Sequence, residues 1–263
     1  MRRACDCVGL ARSAYYTESV NWLVRDAELM AALARLVEER PSRGFWKCCQ
    51  RLRLEGSHWN HKRVYRVYRA MKLNLRRAAR RRLPKRERAP LYVPRQPDSV
   101  WSADFMADAL ACGRRFRLFN IVDDFNREVV HIEVDTSITS ERLVRVFERL
   151  RRERGLPQVL RTDNGPEFLG NAFITWAKAA GMAIQYIQPG KPNQNAYIGR
   201  FNRTLREELL DANLFMRLDD VREAVYWWQI EYNEQRPHNA LGGIPPAAYR
   251  IKNAENSTYD LSA

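Results

Sequence analysis

Nowhere in the 263 residues does an apolar run approach the roughly 18 residues of a membrane-spanning helix, and the first residues show no continuous apolar signal segment. The expected location is therefore the cytoplasm, with no membrane association. Cysteine is scarce as well. The five present (Cys5, Cys7, Cys48, Cys49 and Cys112) are an odd number without framework spacing, which argues against a disulfide scaffold and for free thiols. Cys48 and Cys49, with His58 and His61 nearby, lack the two-residue gap that a tetrahedral zinc site uses, so no zinc centre is expected. Acidic residues are short in one region only. Residues 1–98 carry 24 Lys and Arg against nine Asp and Glu, whereas residues 99–263 carry 21 against 22. The whole net charge of +14 thus sits in the first third, which points to a polyanionic partner, nucleic acid above all.

With 45% apolar residues the chain can bury a proper core. Leu29, Leu33, Leu36 and Val37 recur at helical spacing before Pro41, predicting a helix over Asp26–Arg40. A second is predicted through "GFWKCCQRLRLEG" and a third through "NHKRVYRVYRAMKL", capped by Asn60. In the third helix Val64, Val67, Tyr68 and Met71 form one face. Lys62, Arg66 and Arg69 form another, with Arg63 beside them. The pattern fits a helix-turn-helix whose last helix enters a major groove through these four basic residues, or else a small bundle with a solvated basic face. Residues 76–88, "RRAARRRLPKRER", then hold eight basic residues in thirteen, followed by Pro90, Pro94 and Pro97. Such a segment reads as an extended, phosphate-binding linker. The expected organisation is a basic helical region over 1–84, a linker over 85–98, a core over 99–250 and a tail over 251–263.

Within the core, strands are predicted at Val100–Met106, Arg115–Asp124, Val129–Asp135, "QVLRTD" and "AIQYIQ". Helices are predicted through "SERLVRVFERLRRERG", "EFLGNAFITWAKAAG", "NAYIGRFNRTLREE" and "DDVREAVYWWQIEYNEQRP". Three consecutive strands followed by strand–helix alternation imply an α/β fold, a mixed sheet flanked by helices. Tyr226, Trp227, Trp228 and Tyr232, at helical spacing, are expected in its core. Asp104 in "WSADFM" and Asp163 in "RTDNGPEF" fall where strands are expected to end or to expose a residue. Paired carboxylates there suit a hard divalent cation, while single ones cap a helix or close a turn.

One residue is out of keeping with its surroundings. Gly199 lies inside a predicted helix, at a cost of about 1 kcal/mol relative to alanine. It sits off the apolar stripe of Ile198, Phe201, Leu205 and Leu209, beside Asn195, Asn202, Arg203 and Arg206.

"WSADFM", "RTDNGPEF", "QPGKPNQNAYIGRFNRTLREELLD" and "YNEQRPHNALGGIPPAAY" together resemble the integrase-type transposases encoded by the second reading frame of two-frame bacterial insertion sequences. The likeness extends to "RRACDCVGLARSAYY" and the segment around "NHKRVYRVYR". It implies a ribonuclease-H-like core with an Asp-Asp-Glu catalytic triad that uses Mg²⁺, with Mn²⁺ as substitute. Asp104 and Asp163 match the two aspartates and would hold the metal. The glutamate is expected with thirty-five residues between it and Asp163, in a segment similar to "NAYIERFN", and that position is Gly199. Glu207, about 12 Å along the helix and roughly 80° around it, and Glu208 on the opposite side are not expected to replace it. Nor are Glu167, Asp123 or Asp124. The resemblance further implies that Arg203, Arg206 and Lys191 hold DNA. The partners would be element-end and target DNA, further copies in a synaptic complex and the upstream-frame product. The protein would be bacterial, and nucleoid-associated when bound to DNA. Either it is a transposase impaired at position 199, or it is a non-enzymatic protein that occupies element ends and inhibits an active transposase.

Overall fold

The computed structural model describes residues 2–9, 11–16, 22–75, 94–188 and 192–259. The chain forms two compact units, Met1–Arg77 and Ala78–Ala263. All of the basic segment 76–88 and most of the expected linker lie outside the described residues, as does Lys191.

The first unit is all helical: α1 (Arg2–Cys7), α2 (Arg12–Tyr16), α3 (Trp22–Arg25), α4 (Ala27–Glu39), α5 (Phe45–Leu54) and α6 (His61–Ala70). Leu29, Leu33 and Leu36 of α4 are fully buried against Cys48 and Leu52 of α5 and Val64, Val67 and Tyr68 of α6. Pro41 pushes Arg40 into an extended conformation and so ends α4. Asn60 starts α6, its side chain accepting the Lys62 amide at 2.9 Å. The buried Asp26 braces α6 against the start of α4. It accepts from Arg63 Nε at 2.8 Å and from Arg66 at 2.5 Å, while Arg63 also donates to the Arg25 carbonyl.

The second unit contains β1 (Val100–Ala109), β2 (Arg115–Asp123), β3 (Val129–Asp135), α7 (Ser140–Glu153), β4 (Val159–Thr162), α8 (Pro166–Leu169), α9 (Asn171–Ala179) and β5 (Ala183–Tyr186). It closes with α10 (Ala196–Leu205), α11 (Leu218–Glu234) and α12 (Pro246–Tyr259). The sheet order is β3-β2-β1-β4-β5, antiparallel from β3 to β1 and parallel from β1 to β5. The expected mixed sheet flanked by helices is therefore the architecture observed.

Alternation along the strands makes two cores. Trp101, Ala103, Phe119 and Ile121 pack on α7 and α9, while Met106, Phe116, Leu118 and Val122 pack on α10 and α11.

Three expectations need correction. The helix predicted through "EFLGNAFITWAKAAG" is two helices, because the chain turns at Gly170 against α7. A Cβ there would collide with Ser140 Oγ, which itself donates to the Glu167 carbonyl. Beyond α10 the helix widens into a π turn over Arg206–Leu210, which buries both Leu209 and Leu210. Of the aromatics on α11, Trp228 and Tyr232 are buried as expected, but Tyr226 and Trp227 are about 60% exposed. The buried stripe of α11 runs through Val221, Val225, Trp228 and Tyr232, and a helix packed on one side leaves the residues between them in water.

Glu133 on β3 is buried among His131 (2.9 Å), Arg142 (2.5 Å) and Arg149 (3.1 Å). Burial raises its carboxyl, but these donors outweigh burial and hold it at about 2, below the ordinary 4.5. A depressed carboxyl stabilises the fold above its unfolded pKa and loses that contribution as pH falls through the folded one. Glu133→Gln should therefore cost about 2 kcal/mol at pH 7, and the difference from the parent should vanish between pH 4.5 and about 2. Urea melts of both proteins across that range measure it.

Candidate active site

β1 and β4 run side by side, their last paired residues Ser102 and Arg161, and just beyond this pairing Asp163 lies near enough to Asp104 for its charge to act on it. Both Ser102 Oγ and the Arg161 guanidinium donate to the buried Asp124, at 2.6 Å each, so these alternate positions share one face of the sheet. That face is the one crossed by α10. Asp163 also closes a turn, its Oδ1 accepting the Gly165 amide at 3.1 Å ahead of α8.

Asp104 is half-buried. Burial pushes its carboxyl up to about 6, and the charge of Asp163 adds to the rise. Two donors pull the other way: the Phe105 amide at 2.8 Å on Oδ1 and the Asn202 amide at 2.9 Å on Oδ2. Asn202 is held in turn by Asn120 of β2, which donates to it at 2.8 Å from a fully buried position. Sequence reasoning placed Asn202 next to Gly199 but missed this clasp. The available signal was its place in the helical row 195, 199, 202, 206.

That row defines the site. Asn195 donates to the Ala103 carbonyl at 3.3 Å, Asn202 to Asp104, and Arg206 to the Ala107 carbonyl at 2.8 Å and toward Asp108 at 3.5 Å. Each side chain reaches β1. Gly199 lies between them with none, and a Cβ built on it meets nothing within 4 Å. The row is thus open at Gly199, one turn before the Asn202 that clasps Asp104.

The neighbouring carboxylates are engaged elsewhere. Glu167 pairs with Arg117, whose guanidinium lies over the Phe105 ring at 4.4 Å. Glu208 accepts both arms of Arg236 at 2.8 and 3.0 Å. Asp123 accepts the Asp98 and Phe125 amides at 2.7 and 2.8 Å. Glu207 is exposed. Among the described residues no group of three or more His, Cys, Asp or Glu is arranged to hold a metal ion.

The basic candidates divide by unit. On α6, Lys62, Arg66 and Arg69 are exposed, while Arg63 is half-buried in its bonds to Asp26 and Arg25. In the second unit Arg203 is exposed beside Gly199, and Arg206 is bonded to the end of β1.

Two family models described as integrase core domains match residues 94–192 and 180–246, the part of the chain that carries this sheet. A 31.7 kDa protein of insertion element IS407 from Burkholderia multivorans is 42% identical over 95% of this chain and 90% of its own length. The transposase InsD for insertion element IS2D of Escherichia coli is 24% identical over 89% of this chain and 82% of its own length. Among solved structures, the simian T-cell lymphotropic virus intasome in complex with the PP2A regulatory subunit B56 gamma matches 83% of this chain and 74% of the matched one. Its TM-score is 0.55 at 17% identity, a likeness of fold. The fold is ribonuclease-H-like, as the resemblance implied. The chain belongs to the integrase-type transposases of insertion sequences.

Two substitutions should move the Asp104 titration in opposite directions, read by carboxyl carbon NMR. Asp163→Asn removes the facing charge and should bring it down from about 6, whereas Asn202→Ala removes a donor and should take it higher. A titration unmoved by Asp163→Asn would separate the two carboxylates.

Proposed function

We propose that this chain is a transposase subunit that binds insertion-sequence ends and target DNA. Its cleavage and strand-transfer chemistry is severely reduced, because Gly199 stands where the third carboxylate belongs. The open place in the row of Asn195, Asn202 and Arg206, one turn from the Asn202 that clasps Asp104, carries this reading.

In the family the chemistry is hydrolysis and transesterification of DNA phosphodiesters, for which a divalent cation supplies charge stabilisation. Here Mg²⁺, or Mn²⁺ in its place, would have Asp104 and Asp163 as its protein ligands. Two carboxylates hold such an ion weakly. The basic excess of residues 1–98 supports DNA as the partner of the N-terminal region, read as a helix-turn-helix. Lys62, Arg66 and Arg69 would meet DNA there, and Arg203, Arg206 and Lys191 would meet it beside the carboxylates. Assembly with further copies, and with an upstream-frame product, belongs to the same reading.

The engagement of Glu167 with Arg117 and of Glu208 with Arg236 favours a second reading. With Glu167 and Glu208 so engaged, the protein would be a non-enzymatic occupant of element ends that inhibits an active transposase in mixed assemblies.

Cleavage and joining of end-bearing duplexes with Mg²⁺ or Mn²⁺ decide between activity and its loss. Gly199→Glu should exceed the parent by on the order of a hundredfold or more. Equal rates would mean that another carboxylate already serves, and would defeat the reading of Gly199.

A further inference from the structure

Along the outside of α5 and α6 the aromatic rings form a continuous line. His61 stacks on Trp46 with centroids 6.1 Å apart, Trp46 meets Phe45 at 4.9 Å, Phe45 meets Tyr65 edge-on at 4.9 Å, and Arg69 lies over Tyr65 at 6.0 Å. Phe45 also touches Tyr68 of the helical core. Trp46 and Tyr65, by contrast, are 58% and 45% exposed. Large rings held in water by their neighbours are pre-organised contact surface, because little side-chain freedom remains to be lost on binding.

The charges around the line are basic. His61, Tyr65 and Arg69 are spaced i, i+4, i+8 on α6 and share its exposed face with Lys62 and Arg66. Asp26 adds no acidic surface here, since its side chain is 5% exposed and bonded to Arg63 and Arg66. A helix with one solvent face of cations and rings has the width and chemistry of a major-groove reader. Arginine pairs with guanine, and apolar groups meet the thymine methyl.

We propose that Trp46, Tyr65 and Arg69 form the base-reading surface of the N-terminal unit, and that its occupant is double-stranded DNA entered through the major groove. Lys62 and the exposed Arg66 hold the flanking phosphates, Arg66 from a side chain that also bonds Asp26. Arg63, half-buried, braces α6 through Asp26 and the Arg25 carbonyl. The proposal rests on the DNA-binding reading of this unit and names the side chains that give it sequence preference. The excess of 24 basic over nine acidic residues in 1–98 favours a polyanion over an apolar protein face as the occupant.

The test is selection by the whole chain from a pool of random-sequence duplexes, with anisotropy titrations of the selected duplex, the unselected pool and an oligothymidylate strand. The parent should enrich a short motif and bind duplex more tightly than strand. Trp46→Ala, Tyr65→Ala and Arg69→Ala should flatten the motif and weaken the selected duplex about tenfold, with thermal melting unchanged. The two ring variants should leave pool affinity nearly unaltered, whereas Lys62→Ala should weaken all duplexes alike and lower the salt slope by about one. If the ring and Arg69 variants enrich the parent's motif as strongly as the parent does, these side chains are not the readers, though DNA binding stands. Tighter binding of oligothymidylate would make unpaired bases the occupant and overturn the duplex assignment. Failure of the parent to bind either nucleic acid would remove the DNA reading of the unit itself.

Discussion

Helix α10 lies across β1 and β2 with Ile198, Phe201 and Leu205 buried in one core and Asn195 and Asn202 bonded to β1. The candidate site depends on this seating. The apolar stripe fixes the height and rotation of the helix, so the polar row beside it must point at β1. The row then determines what Asp104 meets. Asn202 can clasp Asp104 only because Asn120, fully buried on the neighbouring strand, orients its amide. Gly199 belongs to the row by position and contributes no side chain to it, which leaves the stability of the helix to packing.

Arginine is paired with several buried or half-buried acids in the second unit: Arg161 with Asp124, Arg117 with Glu167, Arg236 with Glu208, and Arg154 with Asp98 and Glu128. Among the described residues Asp104 and Asp163 have no such partner. Burial is the main reason the Asp104 carboxyl is raised, and the charge of Asp163, with no arginine to offset it, adds to the rise. The same logic in the N-terminal unit gives Asp26 two arginines and frees the outer face of α6 from acidic charge.

Much of this was legible in the sequence because it is periodic. The stripe of Leu29, Leu33 and Leu36, the alternation along β1 and β2, the Asn60 cap and the off-stripe place of Gly199 all follow from spacing within one element. What escaped depends on partners far along the chain. Asn202 lies 98 positions from Asp104, and Arg63 lies 37 from Asp26, so neither bond leaves a local trace. The break at Gly170 comes from a serine on α7, and the π turn after α10 shifts the angular projection that placed Glu207 and Glu208. The exposure of Tyr226 and Trp227 was misjudged because helical spacing was credited to all four aromatics, when the buried stripe takes only two.

The central claim is that the site is short of one oxygen ligand at position 199. Calorimetric titration of Mg²⁺ into the parent and into Gly199→Glu, without DNA, tests it apart from catalysis. Weak binding by the parent and affinity at least about tenfold higher in the variant would agree with the account. Equal affinities would contradict it, because the parent would then already possess a complete ligand set.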